Sequence, residues 1–204
     1  MYVIGLTGNI ASGKTAVAER LEALGARVIC ADTVAREVVC PGSEGLRCVR
    51  EAFGDGVFRP DGSLDRAALG RIVFHDARQR RRLEAILHPL IVGSIRQTLA
   101  AWENEAPSAV AVVNAALLIE IGLHETADEV WLVEARDDIR LKRIMCRDGL
   151  SGDEARARME SQMPSAQKRR FADRVLLNNG SNEELLSQVD ALWARTAERI
   201  TGEQ

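Results

Sequence analysis

The 204-residue sequence lacks several features that would send it to other classes. No stretch approaches the roughly 18 consecutive apolar residues of a membrane-spanning helix. The N-terminus has no basic segment leading into an apolar run, which argues against a secretory leader. Cys30, Cys40, Cys48 and Cys146 form no C-x-x-C pair, and no histidines accompany them at metal-ligand spacing. An excess of positive charge is also missing: the formal net charge of −3 argues against a general binder of nucleic acid or membrane surfaces. No internal repeat or low-complexity segment is visible. These absences argue against secretion, membrane insertion and a nucleic-acid or membrane partner. Four cysteines could make two disulfides, but the cytoplasmic enzyme that a phosphate loop at residues 8–15 implies would keep four free thiols.

What the sequence does contain is ordinary in bulk, with 46% hydrophobic and 28% charged residues and a length that fits one domain with an inserted lobe. Its sharply specified stretch is Gly8-Asn9-Ile10-Ala11-Ser12-Gly13-Lys14-Thr15, which satisfies G-x-x-x-x-G-K-[S/T]. Tyr2 to Thr7 before it reads as a short buried strand. Ala16 to Leu24 after it places Val17, Leu21 and Leu24 on one helical face, with Gly25 as a stop. Strand, glycine loop and helix form the context in which this motif binds phosphate. Gly8 and Gly13 can take dihedrals that a β-carbon would forbid, so successive N–H groups can turn inward around a phosphate. The start of the following helix adds unpaired N–H groups and the positive end of its dipole. Lys14 is expected at the β- and γ-phosphates and the Thr15 hydroxyl on Mg²⁺. The contacts expected for a nucleoside triphosphate thus run from Gly8 to Ala16. No Asn-Lys-x-Asp run, of the kind that reads guanine, accompanies them.

Farther along, Ala26 to Cys30 reads as a second strand leading to Asp32, and Asp32 to Val39 as a helix with Asp32 at or near its N-cap. An aspartate at the C-terminal end of a parallel strand faces the crevice where doubly wound sheets bind ligands. Three roles stay open for it: Mg²⁺-linked ligand, base for an incoming hydroxyl, or helix cap. Residues 41 to about 105 show no clear strand. They read as helices broken at Pro41-Gly42-Ser43, a turn-rich connector from Gly54 to Gly62, and a long helix from Asp76 to Glu103 that Pro89 must end or kink. This block is expected to be an inserted lobe holding a second substrate. Arg78 to Arg82 reads as a solvated face, and His75 and His88, on residue type alone, as structural.

Ala109 to Val113 is the clearest buried strand. It ends at Asn114, where many phosphate-loop proteins carry a Mg²⁺-linked aspartate. The acidic group must then come from Asp32 or Glu120, or the metal is held mainly by Thr15, phosphates and water. Glu129 to Val133 reads as a fourth strand, followed by a helix from Asp137 to Arg147. Arg136, Arg140, Arg143 and Arg147, spaced four, three and four apart, are expected along one side. With Arg156, Arg158, Lys168, Arg169, Arg170 and Arg174 beyond, the region reads as an arginine-rich flap for phosphoryl transfer, Arg143 and Arg147 foremost. Arg174 to Leu177 is the last strand. It opens into Asn178-Asn179-Gly180-Ser181, either a loop that reads a base edge or a plain turn. The final helix, Asn182 to Ile200, packs Leu185, Leu186, Val189, Leu192 and Trp193 as scaffold.

These pieces together resemble the bacterial dephospho-coenzyme A kinases over essentially the whole chain. The resemblance rests on Gly5-Leu6-Thr7-Gly8 running into the phosphate loop, on Ala31-Asp32-x-x-Ala35-Arg36 with Val38-Val39 and Pro41-Gly42, and on Leu87-His88-Pro89-Leu90-Ile91. Leu117-Leu118-Ile119-Glu120, Leu141-Lys142-Arg143 through Arg147-Asp148, Ser161-Gln162-Met163 with Lys168, and Ala172-Asp173 through Asn179-Gly180 complete it. It implies an α/β, three-layer P-loop kinase fold with a five-stranded parallel sheet, a helical substrate-binding insertion and an Arg-rich lid. The expected core is 1–40, 107–135 and 172–204, the CoA-binding lobe 41–106 and the lid 136–171. The implied reaction is transfer of the ATP γ-phosphoryl group to the ribose 3′-hydroxyl of dephospho-CoA, with Mg²⁺. By position, Lys14, Asp32 and Arg147 would be catalytic, with Asp32 on the 3′-hydroxyl and sharing Mg²⁺ with Thr15. Arg143, Asn178, Asn179 and Gly180 would join the phosphate loop on ATP, the last three at the adenine. Arg36, His88, Pro89, Leu117 and Glu120 would contact the acceptor. A monomer is expected. The chain departs from the family's usual glycines at Asn9 and Ala11, from an additional aspartate at Cys30, and from a proline-containing turn at Ala115-Ala116. The alternatives are another small-molecule or nucleoside monophosphate kinase of the same core and, from another class, a GTP-binding switch.

Overall fold

The computed structural model describes residues 1–202. Its chain divides into two compact units, one formed by Met1–Ile29 together with the chain from Ala100 onward, the other by Cys30–Leu99. The smaller unit begins at Cys30 and includes Asp32 and Arg36.

The larger unit is built on a five-stranded sheet. Its strands are β1 (Tyr2–Gly8), β2 (Arg27–Cys30), β3 (Val110–Asn114), β4 (Glu129–Glu134) and β5 (Arg174–Leu177), in the order β2-β3-β1-β4-β5. The central strand β1 pairs in parallel with β3, Tyr2 opposite Val110, and with β4, Gly5 opposite Val130. β4 pairs in parallel with β5. Near-continuous burial of β1, β3 and β4 explains their uninterrupted apolar sequences, since a parallel sheet in a three-layer α/β fold is covered on both faces. Helix α1 (Lys14–Ala23) and the C-terminal helix Asn182–Gly202 cover one face. There Val17, Leu21, Leu185 and Val189 pack with Ile4, Leu6, Val112 and Trp131, all of them fully buried. Side chains alternate along a strand, so Gly5 looks the other way. A β-carbon there would lie 2.8 Å from Leu118 Cδ2 and 3.1 Å from Ala127 Cβ, so the turn after β3 covers the opposite face closely.

The smaller unit is helical, as its sequence implies. Helices α2 (Ala31–Glu37), α3 (Glu44–Phe53) and α4 (Arg66–His75) are followed by α5 (Ala77–Glu105), which runs on into the larger unit. Val39, Leu46, Val49, Val57 and Leu69 form its core, with Phe53, Phe58 and Leu87 packed against them. Two caps fix helix starts: the Ser43 hydroxyl accepts from Leu46 N–H, and Asp65 accepts from Ala67 and Ala68. Two expectations are narrowed. Helix α2 starts at Ala31 with Cys30 as its N-cap, so Asp32 is a first-turn residue that caps nothing. Of the two outcomes expected at Pro89, an end or a kink, the end is excluded: α5 is one helix of 29 residues. Proline removes its own N–H and crowds the carbonyl four residues back. Here both Pro89 and Ala85 are exposed, so water can serve that carbonyl.

Beyond β4 the chain forms α6 (Asp137–Asp148), α7 (Gly152–Glu160) and α8 (Ser165–Lys168) before returning to β5. Ser151 and Glu154 make a reciprocal capping box at the start of α7. All four cysteines are free.

Candidate active site

The loop between β1 and α1 has the backbone that its glycines require. Gly8 has φ 153° and Gly13 φ 104°. A β-carbon on Gly8 would collide with the Val133 carbonyl, and one on Gly13 with the Asn178 amide nitrogen. Ala11, at φ 59°, is the positive-φ non-glycine residue among those described. It holds a left-handed conformation that costs an alanine about 1 kcal/mol.

Hydrogen bonds on the loop's outer side set its peptide planes. Arg140 Nε donates to the Ile10 carbonyl at 3.1 Å, Arg143 Nη1 to the Ala11 carbonyl at 3.3 Å, and Asn178 Nδ2 to the Ser12 carbonyl at 2.8 Å. In a planar trans peptide the N–H points opposite to the C=O. Turning the Ile10 and Ser12 carbonyls outward therefore aims the Ala11 and Gly13 N–H groups to the inside of the loop. The Ser12 N–H closes a turn onto the Asn9 carbonyl at 3.1 Å. The Lys14 ammonium lies against the same loop, donating to the Gly8 carbonyl at 2.6 Å and the Asn9 carbonyl at 3.4 Å. Two further bonds tie the loop to the segment between α7 and α8. Ile10 N–H donates to Gln162 Oε1 at 2.8 Å, and the Asn9 amide donates to the Met163 carbonyl at 3.1 Å.

The arginines of α6 do not share one role. Arg140 is buried and Arg143 half-buried, and both reach the loop. Arg136 and Arg147 are exposed and pair with their neighbours Asp138 and Asp148. The four-three-four spacing was expected to set all four guanidinium groups along one side, but only Arg140 and Arg143 reach the loop. Local carboxylates and long side chains then send the outer two away. Arg158 also reaches Asp148, at 3.1 Å, so that carboxylate gathers two arginines of the flap. The hydrogen bond from Arg147 holds the Asp148 carboxyl below the usual carboxylate range.

The Asn178-Asn179-Gly180 loop also differs from expectation. The Asn178 side chain is buried against the phosphate loop, with Nδ2 on Ser12 and Oδ1 accepting from Arg143 Nη2 at 3.1 Å. Its amide is committed to positioning Gly13 and its neighbours. Asn179 Oδ1 accepts from the Arg136 N–H at 2.8 Å, and Gly180 sits close over Glu184. At the end of β3, the Lys168 ammonium, fully buried, donates to the Ala116 carbonyl at 2.5 Å and lies 2.9 Å from Glu120. The Thr7 hydroxyl donates to the same carbonyl at 3.4 Å. Glu120 is therefore the partner of a buried cation, which would be costly without it. Leu117 beside it is exposed. In the smaller unit Asp32 and Arg36 are exposed, His88 is half-buried and Pro89 exposed. Reading the sequence alone missed the parts played by Gln162 and Lys168, and by Arg140 as distinct from Arg143. Their contacts cross more than 40 residues of chain. Only the resemblance flagged Gln162, and Lys168 stood out merely as one basic residue of the flap.

The donor set at the loop suits a hard, well-hydrated cation. Thr15, the exposed residue in the first turn of α1, carries a hydroxyl, and no group of three or more His, Cys, Asp or Glu side chains among the described residues could hold a metal. Mg²⁺ commonly keeps several waters and takes ligands from phosphates, so a single hydroxyl fits it.

A phosphate loop between the first strand and first helix of a parallel sheet, a helical insertion after the second strand and an arginine-rich segment after the fourth define a P-loop kinase. Within that class the chain belongs to the dephospho-CoA kinase family, whose model matches residues 2–184. A relative from Geobacter sulfurreducens, described as dephospho-CoA kinase, is 47% identical over 195 residues, 96% of this chain and 98% of the relative. Among solved structures, TT1252 from Thermus thermophilus superposes with a TM-score of 0.79 at 36% identity, covering 95% of this chain and 97% of the other. Dephospho-CoA kinase from Campylobacter jejuni superposes with a TM-score of 0.73 at 26% identity, covering 99% and 98%.

Proposed function

We propose that this chain transfers the γ-phosphoryl group of ATP to the ribose 3′-hydroxyl of dephospho-CoA, giving coenzyme A and ADP. The observation that carries the reading is the family match from residue 2 to 184, which takes in the phosphate loop, the helical unit and the arginine-rich flap together. In the reaction a bond forms between the acceptor 3′-oxygen and the γ-phosphorus. The bond from that phosphorus to the bridging oxygen breaks, and the hydroxyl proton is lost. Because the transition state is loose, the proton can leave late, so Asp32 would chiefly orient the hydroxyl and then accept or pass on its proton. Arg36 and His88, with Pro89, Leu117 and Glu120, would bind the acceptor.

On the donor side, the inward N–H groups of the loop would hold the phosphates. Lys14 would leave the Gly8 carbonyl for the β- and γ-phosphates, where charge develops during transfer. Arg143 would brace the loop and Arg147 would turn from Asp148 to the transferring phosphates. Thr15 would hold Mg²⁺, with Asp32 as a further ligand; when bound, the ion neutralises charge on the phosphate oxygens. The flap 136–171 would close over the site, the core being 1–40, 107–135 and 172–204 and the acceptor lobe 41–106. We place the reaction in the cytoplasm, carried out by a monomer; the four free thiols suit a reducing compartment. The test is to offer dephospho-CoA, AMP, CMP and shikimate in parallel with ATP. Turnover of dephospho-CoA alone is expected. Turnover of another acceptor with dephospho-CoA inert would overturn the reading.

A further inference from the structure

We infer that Arg140 is a positioning residue for the nucleotide: it holds the Ile10 carbonyl outward and so presets the Ala11 N–H for a phosphate. The inference rests on the reading of this loop as a nucleotide site.

Arg140 is only 4% exposed, yet it is poorly provided for as a structural residue. Its Nε donates to Ile10 at 3.1 Å, and its Nη1 to Asp137 at 2.8 Å, a carboxylate whose side chain is 83% exposed. Its Nη2 is buried and has no hydrogen-bond partner. Burial pushes the guanidinium pKa down, the mark of a charge taken from water with incomplete compensation. An apolar side chain of similar length would fill the same space without that penalty, and such replacements are often neutral or stabilising. Packing therefore does not account for an arginine here.

The bond to Ile10 does. The four-residue run between Gly8 and Gly13 could place its peptide planes in several ways, and an anion cradle needs particular N–H groups turned inward before the phosphate arrives. Arg143 and Asn178 fix the next two carbonyls, but those two side chains also bond one another, so they act as a pair. Arg140 holds the first carbonyl independently of them. It sits one helical turn before Arg143, with its donor end on the loop's backbone.

The test measures binding of a non-hydrolysable ATP analogue with Mg²⁺ by calorimetry, with no acceptor present, together with the thermal midpoint. Arg140→Met is expected to weaken the analogue about tenfold, the scale of one charge-assisted hydrogen bond. Its midpoint should equal or exceed that of the unsubstituted protein. Arg140→Lys, which keeps a donor able to reach Ile10, should recover part of the affinity. Unchanged affinity in Arg140→Met overturns the inference. So does a loss of affinity that accompanies a lowered midpoint and is not recovered by lysine, since that is the behaviour of a structural residue. Because no acceptor is present, a wrong assignment of dephospho-CoA would appear only in the acceptor comparison and would leave this measurement intact.

Discussion

In the larger unit, five successive carbonyls of the phosphate loop, from Gly8 to Ser12, accept hydrogen bonds from Lys14, Arg140, Arg143 and Asn178. In the smaller unit, Asp32 and Arg36 stand exposed on α2, a helix of seven residues with no side-chain cap. The first region is built to one geometry before any ligand arrives, and the second has little holding Asp32 and Arg36, the groups proposed for the acceptor, in place. Triphosphate is a ligand of fixed shape, and preset dipoles stabilise its charge without reorganisation. Exposed side chains settle when their ligand brings the remaining contacts, so their share of the site is completed by binding. Substitutions at the loop's glycines should thus disturb structure and function together, and substitutions on α2 function alone.

The largest effect expected is for Lys14→Ala, which should lower kcat/KM about a hundredfold or more with the fold retained, through lost charge stabilisation in the transition state. Steady-state kinetics alongside circular dichroism checks both halves of that statement. Gly13→Ala strikes the loop's architecture, because the new β-carbon meets the Asn178 amide at a positive φ. It should destabilise the protein by about 1–3 kcal/mol in denaturant unfolding and weaken nucleotide binding as well. Loss of binding at unchanged stability would show that the loop is softer than its contacts imply. Asp32→Asn is the counterpart on α2. It should lower kcat about tenfold or more, with ATP affinity and thermal midpoint unchanged. A fall in midpoint would erase the contrast between the two regions, and unchanged turnover would remove Asp32 from the mechanism.

Ala11→Gly sharpens the comparison from the other direction. Relief of the left-handed alanine should raise stability by about 0.5–1 kcal/mol, less whatever glycine adds to the freedom of the unfolded chain. The smallest effect concerns the flap. Asp148 has its carboxyl lowered by the hydrogen bond from Arg147, so its contribution is fully present above the ordinary carboxylate value and lost as pH falls through the lower folded one. The difference in midpoint between the unsubstituted protein and Asp148→Asn should therefore be the same at about pH 7 and pH 5, and shrink only below about pH 4.

Much of this architecture was legible because the strands are apolar runs bounded by turns and the phosphate loop is specified by residue type and spacing. Ala109 to Val113 and Glu129 to Val133 announced buried strands. The loop's inward face was legible too, since Gly8 and Gly13 can serve only a few backbone shapes. Its outer face was not. That Asn178 braces Ser12, that Arg140 and Arg143 brace the residues before it, and that Glu120 partners Lys168 are consequences of tertiary packing between distant segments. Periodicity reports which face of a helix a residue occupies, not which backbone atom lies beyond it. Whether Pro89 ends the helix or lies within it was likewise not legible, because its effect depends on whether the carbonyl it crowds faces water.

The pairing of β1 has a consequence for how the protein is made. Tyr2 meets Val110 and Ile4 meets Glu129, so the central strand has no partner until more than half of the chain exists. At ribosomal rates of about 5–20 residues per second, β1 waits roughly 5–20 s after its synthesis before β3 is complete. During that interval a short, almost wholly apolar strand is unpaired, while the helical segment from Cys30 to Leu99 is synthesised behind it. The nascent chain should therefore be most vulnerable to misassociation, and most in need of a chaperone, before residue 110 emerges.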